Sequence, residues 1–191
     1  MQENTFDKNY YFGGVYEDYN VFNDYPEMAA DLISRFPTKS FLDIGCGCGN
    51  LVRELKQQAE RKFQQVCDVQ GIDASEFAVK IAGAPYVKHA ACQRLPFADQ
   101  RFETVYILTT FSYLPTMSEI HQAMMEAYRV AKIVIVFEDV YTVPEVNTDD
   151  YDPLRRYVFS QEEWVLKWRG ILTSRDTINT EGDEIIIRKF H

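Results

Sequence analysis

Residues 41–49 read FLDIGCGCG, an apolar run broken by one acid and then glycine at every second position. With Ser40 in front, SFLDI has the length and composition of a short buried strand, and residues 45–49 are too rich in glycine to continue it. Glycine lets backbone come close to a ligand and take dihedral angles closed to other residues. QGIDAS, at 70–75, repeats the theme: a second strand ends in an acid, Asp73. In open α/β sheets ligands bind at the carboxyl ends of strands where the strand order reverses, and this loop stands at such an end.

An acid at the end of the second strand can accept two hydrogen bonds from adjacent ribose hydroxyls, so the pair of loops points to a nucleoside-containing cofactor. Two classes compete. The dinucleotide fingerprint G-x-G-x-x-G sets a pyrophosphate over a helix amino terminus. Here the glycines are Gly45, Gly47 and Gly49, and Asn50 occupies the place of the third fingerprint glycine. Asp43 beside the loop would repel a pyrophosphate. It would favour a cofactor that lacks phosphate and carries positive charge, and S-adenosylmethionine, with its ribose, ammonium and sulfonium, fits.

Around this loop the chain alternates between strand and helix patterns. From Pro26 the apolar residues Met28, Leu32, Ile33 and Phe36 share a helix face that stops at Pro37. A helix is expected from Asn50 to about Arg61, and another from Ser75 to about Ile81. YVKHA (86–90) and FETVYILTT (102–110) read as strands, and Ser118 with Glu119 is expected to open a helix running to Val130. KIVIVFED (132–139) is apolar and β-branched on both faces, as a central strand must be. After the turn-rich NTDDYDP (147–153), a helix is expected from Ser160 to Arg169, then strands in GILTSRDTI and DEIIIRKF joined by a turn at NTEGD. Such alternation implies a doubly wound, mostly parallel α/β sheet with helices on both faces, and the closing hairpin adds an antiparallel strand. One domain of 1–191 is expected, its aromatic segment 1–24 leading into a core at 25–191.

FLDIGCGCGNL, GIDAS and LPFADQRFETVYILTTFSYLP, in that order and spacing, resemble the successive motifs of class I, Rossmann-like S-adenosylmethionine-dependent methyltransferases of the small single-domain group. The likeness runs from about Tyr10 to the end of the chain and implies a seven-stranded sheet with the last strand antiparallel. By that resemblance the backbone at Gly45, Cys46, Gly47 and Gly49 contacts the amino-acid part of the cofactor. Asp43 orients that end, directly or through water, and Asp73 holds the ribose. Ala74 lies along the adenosine, the Cys92–Gln93 backbone meets the adenine edge, and Thr109 lines the methionine side. Two departures stand out. Ala91 falls where such enzymes often carry an acid for the adenine amino group, and SYLP places Tyr113 where many relatives have a histidine.

Methyl transfer from a sulfonium is an in-line displacement in which positioning and water exclusion do most of the work, so a dedicated base is required only for a protonated nucleophile. The candidates for such a role are Tyr113, Tyr11 and Glu138. Glu138 follows the central strand, and Tyr11 belongs to NYYFGGVYEDYNVF, whose aromatic faces suit a sulfonium or cationic substrate and whose Gly13–Gly14 offers a hinge. The plainer use of these rings is packing on the sheet. His89, His121 and His191 are weaker bases by position. Arg155 and Arg156 offer either a substrate-anion clamp or surface ion pairs.

Composition narrows the partners. The 191 residues are 46% hydrophobic and 26% charged with a net charge of −9, which disfavours nucleic acid and anionic membrane surfaces. The start of the chain lacks a signal-peptide layout and no apolar run approaches membrane-spanning length, so a cytoplasmic place is expected. Cys46 and Cys48 are spaced C-x-C without a nearby histidine, which reads as small residues between loop glycines rather than a metal site. The expected acceptor is a small molecule methylated at O, N or C, the product being S-adenosylhomocysteine. Methylation of a protein side chain and a non-catalytic cofactor-binding subunit are the alternatives, and a homodimer is left open.

Overall fold

The computed structural model describes residues 6–14, 16–139, 152 and 154–190. Seven strands form one sheet: β1 (Ser40–Ile44), β2 (Asp68–Asp73), β3 (Val87–His89), β4 (Phe102–Leu108), β5 (Ala131–Glu138), β6 (Thr177–Glu181) and β7 (Glu184–Arg188). Their order is β3-β2-β1-β4-β5-β7-β6. The first five are parallel, β7 runs antiparallel to β5, and β6 antiparallel to β7. This is the fold expected from the sequence, and the order reverses between β1 and β4, directly beneath the glycine loop.

Alternation along the strands divides the core into two layers. On β5, Val134 and Val136 face one way while Ile135 and Phe137 face the other, and on β7 Ile186 opposes Ile185 and Ile187. The first layer packs on helices α2 (Tyr25–Arg35) and α3 (Asn50–Phe63), through residues such as Leu32, Ile33, Val52 and Leu55. The second packs on α5 (Met117–Val130) and α6 (Gln161–Arg169), where Trp164 and Trp168 close edge-on against Phe137. Two short helices, α1 (Lys8–Tyr11) and α4 (Glu76–Ala82), meet where Tyr11 stacks on Phe77, and α4 adds Val79 and Ala82 to the first layer.

Local chemistry shifts two boundaries. Helix α5 starts at Met117 because the Thr116 hydroxyl accepts the Glu119 N–H, a cap two residues ahead of the expected Ser118. The expected strand over 170–178 begins only at Thr177. Asp176 ties residues 173–176 into a turn by accepting from the Thr173 N–H and hydroxyl and from the Tyr128 hydroxyl. The hairpin then turns at Gly182 rather than across all of 179–183. NTDDYDP, apart from Asp152, lies outside the described residues.

Phe137 touches Phe111, Trp164 and Trp168 and is fully buried. Phe137→Ala is expected to lower stability by about 3–5 kcal/mol in urea unfolding. A loss under about 1 kcal/mol would mean the aromatic layer is not part of the cooperative core.

Candidate functional site

The loop after β1 is held by the end of β2. The Ile72 carbonyl accepts the Gly45 and Cys46 N–H groups at 2.8 and 3.0 Å. The Asp73 carboxylate accepts the Gly47 N–H through one oxygen (2.8 Å) and the Ser75 N–H through the other (2.7 Å). Gly45 has φ 79° and Gly47 φ 52°, the left-handed region that favours glycine. Space forbids side chains there too. A Cβ on Gly45 would collide with Thr110, whose hydroxyl donates to the Ile44 and Leu108 carbonyls, and one on Gly47 would meet the Tyr19 ring at 2.7 Å.

A cavity of about 470 Å³ opens over this loop. Gly45, Gly47 and Asp73 form its floor, Ala74 and Ala90 to Gln93 one wall, and Thr109 and Thr110 the other. Tyr11 and Tyr113 face it along with Tyr16 and Tyr19. A second space of about 40 Å³, with room for about one water, lies beyond Tyr16 and Tyr19 and is lined by Asp43, Gly45, Cys46 and Thr109. Gly49 and Glu138 line neither of these cavities. Gly49 turns the chain into α3 with φ 72°, and a Cβ there would press on Val87 and Ala82. Glu138 is half-buried, held above the usual carboxylate range by burial and by Glu184 and Asp183 of the closing hairpin.

Charge is distributed unevenly around the site. Asp43 is 4% exposed and accepts no hydrogen bond among the described residues, and burial together with Asp73 raises its pKa to about 7. Burial also raises Asp73, while the Ser75 and Gly47 N–H groups pull it back. The Cys48 and Cys92 thiols are pushed up to about 12 by burial, so neither is a nucleophile at neutral pH. Cys46 and Cys48 pack into different apolar clusters, and no group of three or more metal-ligating side chains occurs among the described residues.

The other candidates scatter. His89 bonds the Ala74 carbonyl and is exposed, His121 is exposed on α5, and His191 lies outside the described residues. Arg155 is buried and paired with Asp139 at 3.0 Å, while Arg156 is exposed and lines the large cavity. Thr110, Ala90 and Leu114 face the cavity without having been singled out in the sequence. For Thr110 the signal was the pair of threonines just after β4, but Ala90 and Leu114 carry no chemistry that marks them.

Comparison with known proteins fits this geometry. Residues 41–133 match the family model described as "Methyltransferase domain". The 24-methylenesterol C-methyltransferase 2 of Arabidopsis thaliana is 26% identical over 134 residues, covering 65% of this chain and 36% of that protein. The chain thus spans about a third of the length of the curated relatives it matches. Among solved structures, a protein of Methanococcus maripaludis assigned as an S-adenosyl-L-methionine-dependent methyltransferase is similar with a TM-score of 0.66 at 17% identity, covering 98% of this chain and 94% of that one. SAM-bound CalS10, an amino pentose methyltransferase of Micromonospora echinaspora, is similar with a TM-score of 0.63 at 16% identity, covering 89% and 93%. At such identities the structural likeness shows the fold alone, a Rossmann-like α/β sheet.

The Asp43 carboxyl has a measurable signature. It titrates near 7 in the folded chain and near 4 when unfolded, so between those values the folded state holds a proton that the unfolded state releases. Its contribution to stability therefore falls as pH rises through that window. Asp43→Asn is expected to gain roughly 1–3 kcal/mol relative to the wild type on going from pH 4 to pH 8 in urea unfolding. A pH-independent difference would contradict the uncompensated burial.

Proposed function

We propose that this chain, whose residues 41–133 match a methyltransferase domain, is a class I S-adenosylmethionine-dependent methyltransferase whose large cavity binds S-adenosylmethionine and serves methyl transfer to a small-molecule acceptor. The observation that carries this reading is the buried Asp43 carboxylate, without a hydrogen-bond donor among the described residues, behind a glycine loop whose other acid ends β2. Such a site disfavours a pyrophosphate and favours a cationic nucleoside. A cavity of about 470 Å³ is of the size that encloses a ligand of this kind. The cofactor supplies a sulfonium-activated methyl group and leaves as S-adenosylhomocysteine.

In this reading Asp73 accepts from the ribose with the lone pairs that Gly47 and Ser75 leave open. The Gly45, Cys46 and Gly47 backbone carries the amino-acid end, with Asp43 compensating its ammonium from the small space behind Tyr16 and Tyr19. Gly49 acts through the turn it allows. Ala74 lies along the adenosine, the Cys92–Gln93 backbone meets the adenine and Thr109 borders the methionine side. The aromatic segment before residue 25 excludes water from the reacting centre. Tyr113 and Tyr11 line the large cavity, and Glu138 does not. The acceptor is a small molecule methylated at O, N or C, as the name of the plant relative, a sterol C-methyltransferase, illustrates for one such protein. The net charge of −9 disfavours nucleic acid, and we place the protein in the cytoplasm as a single domain, with a homodimer as the oligomer to test.

Calorimetric titration with S-adenosylmethionine, S-adenosylhomocysteine and NAD tests the assignment. Micromolar binding of the first two with NAD silent is expected, and binding of NAD alone would overturn it. Asp73→Ala should weaken S-adenosylmethionine by roughly 1.5–3 kcal/mol. Gly47→Val should abolish binding while far-ultraviolet circular dichroism stays unchanged, and retained binding would place the cofactor elsewhere.

A further inference from the structure

One corner of the large cavity has an unusual hydrogen-bond balance. The Tyr10 and Tyr113 hydroxyls both donate to a single oxygen of Asp152, at 3.0 and 2.7 Å, and the other oxygen of that carboxylate accepts the Leu154 N–H at 2.8 Å. An ionised carboxylate only accepts, so both phenolic hydrogens are committed to it. What each tyrosine has left is oxygen lone pairs, shared between a ligand and the Tyr16 hydroxyl that lies within hydrogen-bond reach of both. Both tyrosines line the cavity, whereas Asp152 stands behind them.

The surroundings keep this acceptor pair in place. Tyr10 packs edge-on to Phe6 and Tyr16, with ring centroids at 4.9 and 5.3 Å, and Phe6 packs edge-on to Tyr113 at 5.6 Å. The Arg155 guanidinium lies 5.3 Å from the Tyr113 ring centroid and pairs with Asp139 at 3.0 Å, and its charge opposes that of Asp152 at Tyr113. Asp152 has no ion pair among the described residues. Glu119 and Arg156, one charge of each sign, line the cavity as well.

We propose that Tyr10 and Tyr113, backed by Asp152, form the acceptor subsite and that it reads an amino group on a small molecule with an apolar body. This rests on the methyl-transfer reading above and narrows it to N-methylation of an amine. Two adjacent lone-pair faces are matched by a group with at least two hydrogens to give. An amino group has them, an alcohol has one, and a carboxylate has none and is repelled. The rings of Phe6, Tyr10, Tyr16 and Tyr113 add π faces that favour a group of partial or full positive charge.

The same arrangement handles the protons. An amine that arrives as ammonium passes one proton to the Tyr113 oxygen as the Tyr113 hydrogen moves to Asp152, which later returns it to water. The freed nitrogen lone pair then forms the N–C bond while the methyl's C–S bond breaks and its electron pair stays on sulfur. Positive charge moves from sulfur to nitrogen, and the extra N–H proton is lost to water.

The test is titration calorimetry on the chain saturated with S-adenosylhomocysteine, using phenethylamine, phenethyl alcohol and hydrocinnamate as probes of one shape and three head groups. Phenethylamine is expected to bind at least about tenfold more tightly than the other two. Tyr113→Phe removes one lone-pair face, and Asp152→Asn frees a tyrosine hydrogen to point at the ligand. Each should cut the amine preference to about threefold or less. Equal or tighter binding of the alcohol or acid, no binding of the amine, or an undiminished preference in both variants overturns the inference. If the wild-type chain does not bind S-adenosylhomocysteine at all, the methyl-transfer reading falls and this one with it. If it binds and the amine preference is missing, only the acceptor assignment falls.

Discussion

Everything at the carboxyl edge of the sheet depends on the Asp73 carboxylate. It sits 8% exposed at the end of β2 and accepts the Gly47 N–H from the neighbouring loop and the Ser75 N–H from its own. Hydrogen bonds to a charged group contribute about 1.5–3 kcal/mol each, and without them a buried carboxylate would protonate or find water. The bond to Gly47 fixes the loop in the left-handed turn that only glycine enters readily. The bond to Ser75 precedes a cap, because the Ser75 hydroxyl accepts the Ala78 N–H and starts α4. One side chain thereby ties the floor of the crevice to the start of α4 where the strand order reverses.

Asp43, one strand over, is the converse case. It lies in the interior with no donor to accept from among the described residues, pressed by the same Asp73 that organises the loop. A protein keeps such a group at a cost in stability that a bound cation would offset. In the proposed site the two acids divide the work: Asp73 organises the loop and keeps lone pairs for the ribose, and Asp43 faces the ammonium. This division, more than the glycines, separates the site from a pyrophosphate cradle.

Much of this was legible in the sequence because it rests on local chemistry. SFLDI became β1 residue for residue, Ser75 capped α4 as its position implied, and the apolar run of 132–138 became the strand shared by both core layers. Part of what escaped was set by contacts distant in the chain. Asp176 moved the start of β6 by holding Thr173 beside it and Tyr128, almost fifty residues away. The tyrosines of the amino-terminal segment showed no periodicity because they pack on one another and on α4 rather than on a regular face. Gly49 was marked by its place in the loop motif and Glu138 by following the central strand; neither lines the cavities, and Gly49 serves the turn into α3. No spacing rule could have paired Tyr10 with Tyr113 across Asp152.

The central claim is that this crevice holds an S-adenosyl nucleoside across Asp73. A crystal structure of the chain grown with S-adenosylhomocysteine tests it most directly. Density is expected along the glycine loop, with ribose hydroxyls on the Asp73 carboxylate, adenine beside Cys92 and Gln93, and the amino-acid end toward Asp43. An empty crevice, or a ligand bound away from Asp73, would contradict it.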